Sequence, residues 1–213
     1  MENLLKALKQ VREKSKRRNF VQTFELIVNL RDIDLKNPQN RFNEIVILPH
    51  SPGKEATIVV FSDIWKEEEL GVKVLKSQDI EALGKNKREA KKLAKRTDFF
   101  FAEPRLMPLI GKNLGQILGP RGKIPRVVTS NPKPLIEAHK RAVRIRLKES
   151  PVIQCAVGKE NMDDKAIAEN IQTILNFLEE KLPKGKHNLK NVLIKLTMGP
   201  PVEVELNGKR RKG

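Results

Sequence analysis

The chain has 213 residues, enough for one large domain or two of ordinary size, and 43 Lys and Arg against 26 Asp and Glu leave a net charge of +17. That surplus exceeds what solubility needs and points to a polyanion partner, while 38 % apolar residues spread from end to end exclude a solvating tail. No run of about 18 apolar residues occurs, which excludes a helical membrane span and leads us to expect a cytosolic protein.

The first 18 residues carry seven cations on a weakly amphipathic helical segment without an aromatic anchor, so a membrane surface is the weaker reading of their charge. The stretch TFELIVNLRDI follows. Phe24, Leu26, Val28 and Leu30 line one side and Thr23, Glu25, Asn29 and Arg31 the other, the period-2 pattern of a half-buried strand. RFNEIVILP reads as a second strand and runs into a Pro-containing linker, LPHSPGKEA, at residues 48 to 56.

From there short apolar strands alternate with charged helical stretches: TIVVFSD, IWKEEELG, VKVL, GKNKREAKKLAKR, DFFFAE, the stretch LGQILGPRGKIPRVV, PLIEAHKRA and VRIRLK. This rhythm predicts a parallel sheet covered by helices, as in doubly wound folds. A second linker, LKESPV, closes the segment at 147 to 152. Beyond it lie a strand ending in the AVGK turn and a helix with Ile167, Ile171, Ile174, Leu175, Leu178 and Leu182 on one face. Asp163 or Asp164 supplies its N-cap. Two strands joined at Met198-Gly199-Pro200-Pro201 complete the pattern.

Neither outer segment closes a core by itself. The expected architecture is therefore α/β with two domains: residues 1–55 and 152–213 form a composite α+β sandwich, and 56–151 form an inserted Rossmann-like domain. Paired linkers at one place predict a hinge.

Candidate chemistry is sparse. A nucleotide-hydrolysing loop needs Gly-Lys followed by Ser or Thr, but Gly122-Lys123 is followed by Ile124 and no glycine precedes Gly122 by five residues. Gly119 reads instead as a helix C-cap before Pro120. Arg105, Lys112, Arg121, Lys123 and Arg126 nevertheless place five cations and no acid between residues 104 and 130, a pattern suited to polyanion contact. Lys85 to Arg96 holds seven cations and one acid in 12 residues, most simply a solvated helix face. Lys209-Arg210-Arg211-Lys212 is expected to be disordered or to wrap a phosphate backbone.

His50, His139 and His187 lack ligand spacing, Glu67-Glu68-Glu69 reads as an exposed helix face, and Cys155 in VIQCAV reads as packing rather than nucleophile. Neither catalysis, a metal nor a cofactor is expected. With eight Phe, one Trp and no Tyr, a platform stacking several bases is also disfavoured. The competing readings are a nucleotide-binding enzyme using the inner parallel sheet, which lacks a GxGxxG fingerprint, and a DNA-compacting basic protein.

GKNLGQILGPRGKIP, TMGPPVEV, the AVGK turn and TFELIVNLRDI, taken together and over residues 3 to 206, resemble the large-subunit ribosomal protein L-one family, in its archaeal form. The resemblance implies a two-domain fold with the second, Rossmann-like domain inserted into the first. It implies direct binding of large-subunit rRNA at the mobile stalk, release of deacylated exit-site tRNA, repression of the protein's own mRNA, and a monomer when free. Carried over by position, the RNA contacts fall on Thr23, Phe24, Glu25, Gly158, Lys159, Thr197, Met198, Gly199 and Pro200. Asn161 stands where a small hydroxyl residue is frequent in the family. Arg121, Lys123 and Arg126 are expected to form a secondary surface toward tRNA or the stalk. Lysine suits a phosphate, the threonine hydroxyl a ribose 2′-OH, and glycine a close backbone approach.

Overall fold

The computed structural model describes residues 1–205, so the basic stretch Lys209 to Lys212 lies outside the described residues. In chain order the elements are α1 (Glu2–Lys14), β1 (Thr23–Leu30), β2 (Phe42–Ile47), β3 (Ile58–Phe61), α2 (Glu67–Leu70), β4 (Lys73–Leu75), α3 (Ser77–Lys85), α4 (Lys87–Arg96), β5 (Phe99–Ala102), α5 (Met107–Leu118), β6 (Arg126–Val127), α6 (Lys133–Lys140), β7 (Ala142–Leu147), β8 (Val152–Lys159), α7 (Asp164–Lys181), β9 (Leu189–Leu196) and β10 (Val202–Val204). They fall into two compact units, one of Met1–Lys54 with Arg141 onward, the other of Glu55–Lys140.

The composite unit is built on an antiparallel sheet in the order β10-β9-β1-β8. Alternation in β1 buries Phe24, Leu26, Val28 and Leu30 against the apolar faces of α1 and α7, while Thr23, Glu25, Ile27 and Asn29 line the half-open face. In α7 the residues Ile167, Ile171, Ile174, Leu175 and Leu178 are all in this core, as their helical spacing requires. Asp163 occupies the N-cap position and the helix stops at Lys181, before Pro183. A buried amide anchors its first half: Asn170 donates to the Val157 carbonyl at 2.8 Å and accepts from the His50 N–H at 3.0 Å.

A two-stranded ribbon, β2 with β7, adds to the same unit. The second boundary thus falls at Lys140 rather than at the expected residue 151. The segment VRIRLK does not join the parallel sheet; it pairs antiparallel with β2, Val143 opposite Val46 and Ile145 opposite Glu44. Val143, Ile145 and Leu147 enter the composite core while the arginines between them point away, so the strand has one buried face.

The inserted unit is the parallel sheet, in the order β4-β3-β5-β6. Its central strands, IVVF and FFFA, are buried at every position, which is why they read as unbroken apolar runs: a parallel strand covered on both faces has no polar side. Val59, Phe61, Phe100 and Ala102 meet α3, α4 and α5, with Phe61 and Phe100 stacked at 5.6 Å. On the other face α6 sets the His139 ring edge-on to Phe99 and Phe101 at 5.7 and 5.0 Å.

Candidate nucleic-acid interface

The turn that joins β9 to β10 is tied to the start of β1 by a close set of hydrogen bonds. The Thr197 N–H donates to the Thr23 carbonyl at 3.0 Å, and the Thr23 N–H donates to the Thr197 hydroxyl at 3.2 Å. From the other neighbouring strand, the Lys159 ammonium donates to the Thr23 hydroxyl at 2.8 Å. Three strands thereby bring Thr23, Lys159 and Thr197 together at one edge, although they lie far apart in sequence. Thr197, Met198 and Pro200 are exposed, Met198 at 59 %. Glu25 faces the same half-open side, 4.0 Å from Lys195 across the sheet, so its charge is partly offset.

Phe24 points the opposite way. It is fully buried in the core, with the Arg12 guanidinium 5.0 Å from its ring centroid, so its ring serves packing and not RNA contact. Gly158, opposite Phe24 in the sheet, is also buried, and a Cβ there would lie 2.8 Å from Ile167 Cγ1. Gly199 has a comparable reason: a Cβ would meet the Ser15 hydroxyl at 2.3 Å. At both positions the protein's own packing leaves no room for a Cβ. Asn161 is exposed in the turn between β8 and α7.

Two residues that sequence reasoning passes over organise this edge. Gln22 is 1 % exposed and ties three segments together. Its Oε1 accepts from the Met198 N–H at 3.1 Å, its Nε2 donates to the Lys16 carbonyl at 3.4 Å, and its N–H donates to Glu160 at 3.1 Å. Arg12 pins the β8–α7 turn, bonding Asp164 at 2.8 Å, the Met162 carbonyl at 2.9 Å and the Glu160 carbonyl. No local pattern marks either, because their partners lie elsewhere in the chain. A third omission left a signal: KSKRRNFV, which runs from the last residue of α1 toward β1, presents Lys14, Lys16, Arg17 and Arg18 exposed, beside Phe20 at 55 % and Val21 at 53 % exposure. Cations interleaved with an exposed aromatic are the composition of an RNA-contacting loop.

In the inserted unit the three expected cations divide. Lys123 turns inward, its ammonium donating to the Ala94 carbonyl at 2.9 Å and to that of Thr97, where α4 ends. It satisfies carbonyls that a helix end leaves without partners, and its charge suits that end of the dipole, which removes it from the expected outer surface. Arg121 folds back onto the Ile117 carbonyl at 2.9 Å. Arg126 is exposed on edge strand β6. Gly119 follows α5 as expected but keeps right-handed dihedrals at φ −56°; the left-handed step is taken by Gly122 at φ 64°.

Two titratable groups are shifted by burial. Cys155 packs against the composite core, and burial pushes its thiol up to about 12, leaving it protonated and unreactive at neutral pH. His139 is held below 6.5 chiefly by burial, with Arg126 acting in the same direction and a hydrogen bond to the Leu135 carbonyl opposing both. Among the described residues no cluster of His, Cys, Asp or Glu is placed to hold a metal ion.

The profile of the Ribosomal protein L1p/L10e family matches residues 8–200, a span that runs from α1 to the last residue of the Thr197–Pro200 turn. The chain belongs to this family. It is 47 % identical to the large ribosomal subunit protein uL1 of Methanocaldococcus jannaschii over 99 % of both chains. Identity to the uL1 protein of Methanothermococcus thermolithotrophicus is 46 %, over 96 % of this chain and 98 % of that one. The uL1 protein of Thermococcus kodakarensis is also 46 % identical, over 96 and 97 %. These relatives are archaeal, in keeping with the archaeal form of the sequence motifs. Family membership makes this a ribosomal protein and not an enzyme, which disposes of a nucleotide-hydrolysing role for the inner sheet.

Proposed function

We propose that the chain is a component of the cytoplasmic large ribosomal subunit and binds its rRNA directly, through the composite domain, at the mobile stalk. The observation that carries this reading is the convergence of Thr23, Lys159 and the Thr197–Pro200 turn, hydrogen-bonded to one another, beside the exposed cations Lys16, Arg17 and Arg18. Lys159 and the loop cations take phosphates. The Thr23 and Thr197 hydroxyls take ribose 2′-OH groups, and Glu25 accepts from a 2′-OH or a guanine amino group. Phe20 and Met198 supply apolar surface for an unstacked base. Phe24, Gly158 and Gly199 act beneath this surface, as the floor on which it rests.

The relatives' name, large ribosomal subunit protein, supports the same assignment. The inserted Rossmann-like domain then serves release of exit-site tRNA, with Arg126 as its exposed cation on β6. An mRNA segment folded like the rRNA site meets the same composite surface, which gives a route to repression of the protein's own message. The chain acts as a monomer when free.

Filter binding to a stalk rRNA fragment tests the core of this reading. With five or six phosphate contacts, log K falls against log salt with a slope of about −4 to −5. Affinity that is flat in salt removes the electrostatic half of the proposal.

A further inference from the structure

Helix α4 presents six cations that the composite interface does not use. Lys87, Lys91 and Lys95 form one row and Arg88, Lys92 and Arg96 a second, each stepping by four residues. At 1.5 Å per residue those steps are about 6 Å, and the two rows share one helix face over about 13 Å. All six side chains are exposed, whereas Ala90 and Ala94 are 2 and 0 % exposed and face the core made with α3 and α5. Among the described residues none of the six is held in an ion pair.

This arrangement works against the helix on its own terms, since like charges four residues apart repel. Two side chains offset it by fixing the ends. Asn86 accepts from the Glu89 N–H at the first turn, and the Lys123 ammonium closes the carbonyls of Ala94 and Thr97 at the last. The cations therefore stand on a helix pinned at both ends and laid on a core, a rigid rail and not a fluctuating tail.

We infer that this face of α4 is a second docking surface, which takes the phosphate backbone of a double-helical RNA segment. A duplex carries one negative charge per about 1.7 Å of axis, and six cations over about 13 Å is a charge spacing of about 2 Å, close to it. The face offers no exposed aromatic or large aliphatic side chain. A protein partner requires an apolar, charge-depleted centre and single-stranded RNA requires stacking surfaces; a duplex, its bases enclosed and its phosphates presented, requires neither. The inference stands apart from the composite domain's interface and uses none of its residues.

The test uses the full chain and a scrambled RNA duplex of about 16 base pairs, with anisotropy titrations between about 50 and 200 mM salt. Changing Lys91→Gln, Lys92→Gln, Lys95→Gln and Arg96→Gln together should weaken duplex binding at least tenfold at the lower salt and flatten the salt slope by about 3. Glutamine is a good helix former, so helical content by circular dichroism should be unchanged. A scattered variant of equal charge, Lys148→Gln, Lys165→Gln, Lys184→Gln and Lys190→Gln, should lose about threefold or less, and Lys91→Arg, Lys92→Arg, Lys95→Arg should keep full affinity. The inference is overturned if the scattered variant loses as much as the α4 variant, if the α4 variant binds undiminished, or if polyglutamate displaces the duplex as readily as unlabelled duplex does. Thr197→Ala with Met198→Ala should leave duplex binding intact while weakening the stalk fragment, so failure of the composite-domain reading shows separately.

Discussion

Two sets of cations, one on each unit, carry positive charge in contrasting ways. On the composite unit, Lys159 and Arg12 are engaged with neighbouring groups, Lys159 with Thr23 and Arg12 with Asp164 and two carbonyls. On the inserted unit, the six cations of α4 stand in open rows. A cation held by hydrogen bonds fixes where a phosphate or sugar must sit and so contributes selectivity. An open row supplies attraction that is long-ranged, salt-sensitive and indifferent to sequence. The difference teaches that +17 is not one property of this chain but two.

The largest effect expected from breaking this contrast comes from the floor of the composite interface. Gly158→Val drives side-chain atoms into Ile167, so overpacking should destabilise the chain by about 1–3 kcal/mol and weaken rRNA binding more than any surface substitution; thermal unfolding by circular dichroism reads the first and filter binding the second. Next comes the surface itself. Thr197→Ala with Met198→Ala should cost about tenfold or more in affinity for the stalk fragment, about 1.4 kcal/mol, whereas Arg126→Gln should cost about twofold or less. Reversed losses would move the rRNA site to the inserted unit.

Gln22→Ala should fall between these, because it leaves the Met198 N–H and the Lys16 carbonyl without their partner and releases two segments at once, while the backbone bond to Glu160 stays. A loss of affinity of about fivefold accompanied by faster amide exchange at Met198 is the expected pattern. Unchanged exchange would mean that the turn holds itself.

How much of this was legible in the chain depends on whether the signal is local. The alternation of TFELIVNL and the unbroken IVVF and FFFA each state how many of a strand's faces are buried, and the structure agrees with them. The β-α-β rhythm places VRIRLK in the parallel sheet because the segment follows a helix. Its own pattern said otherwise: Val143, Ile145 and Leu147 alternate with Arg144 and Arg146, the mark of a strand with one buried face. At the interface the exposed Thr197 and Met198 and the half-buried Lys159 could be named by resemblance. The roles of Phe24, Gly158, Lys123, Arg12 and Gln22 depend on partners that no local pattern reveals, and only packing distinguishes a glycine that admits RNA from one that admits Ile167.

The smallest effect concerns the inserted unit's core. His139 Nε2 is buried without a partner, and burial lowers the ring's affinity for a proton in the fold. The unfolded ring takes up a proton near pH 6.5, so the folded state binds fewer protons and stability should decline as pH falls below that value. His139→Phe should remove this dependence and raise the unfolding midpoint slightly at pH 5.5, as differential scanning calorimetry at pH 5.5 and 7.5 would show. A midpoint that falls equally with acid in the variant would assign the effect to other groups.

The most direct test of the central claim is a hydroxyl-radical footprint on total large-subunit rRNA, run with the unmodified chain and with Thr197→Ala, Met198→Ala. A composite rRNA-binding domain predicts one compact protected region in the stalk rRNA, lost or strongly reduced in the variant. Protection spread evenly over the rRNA, or a compact footprint that persists undiminished in the variant, would contradict it.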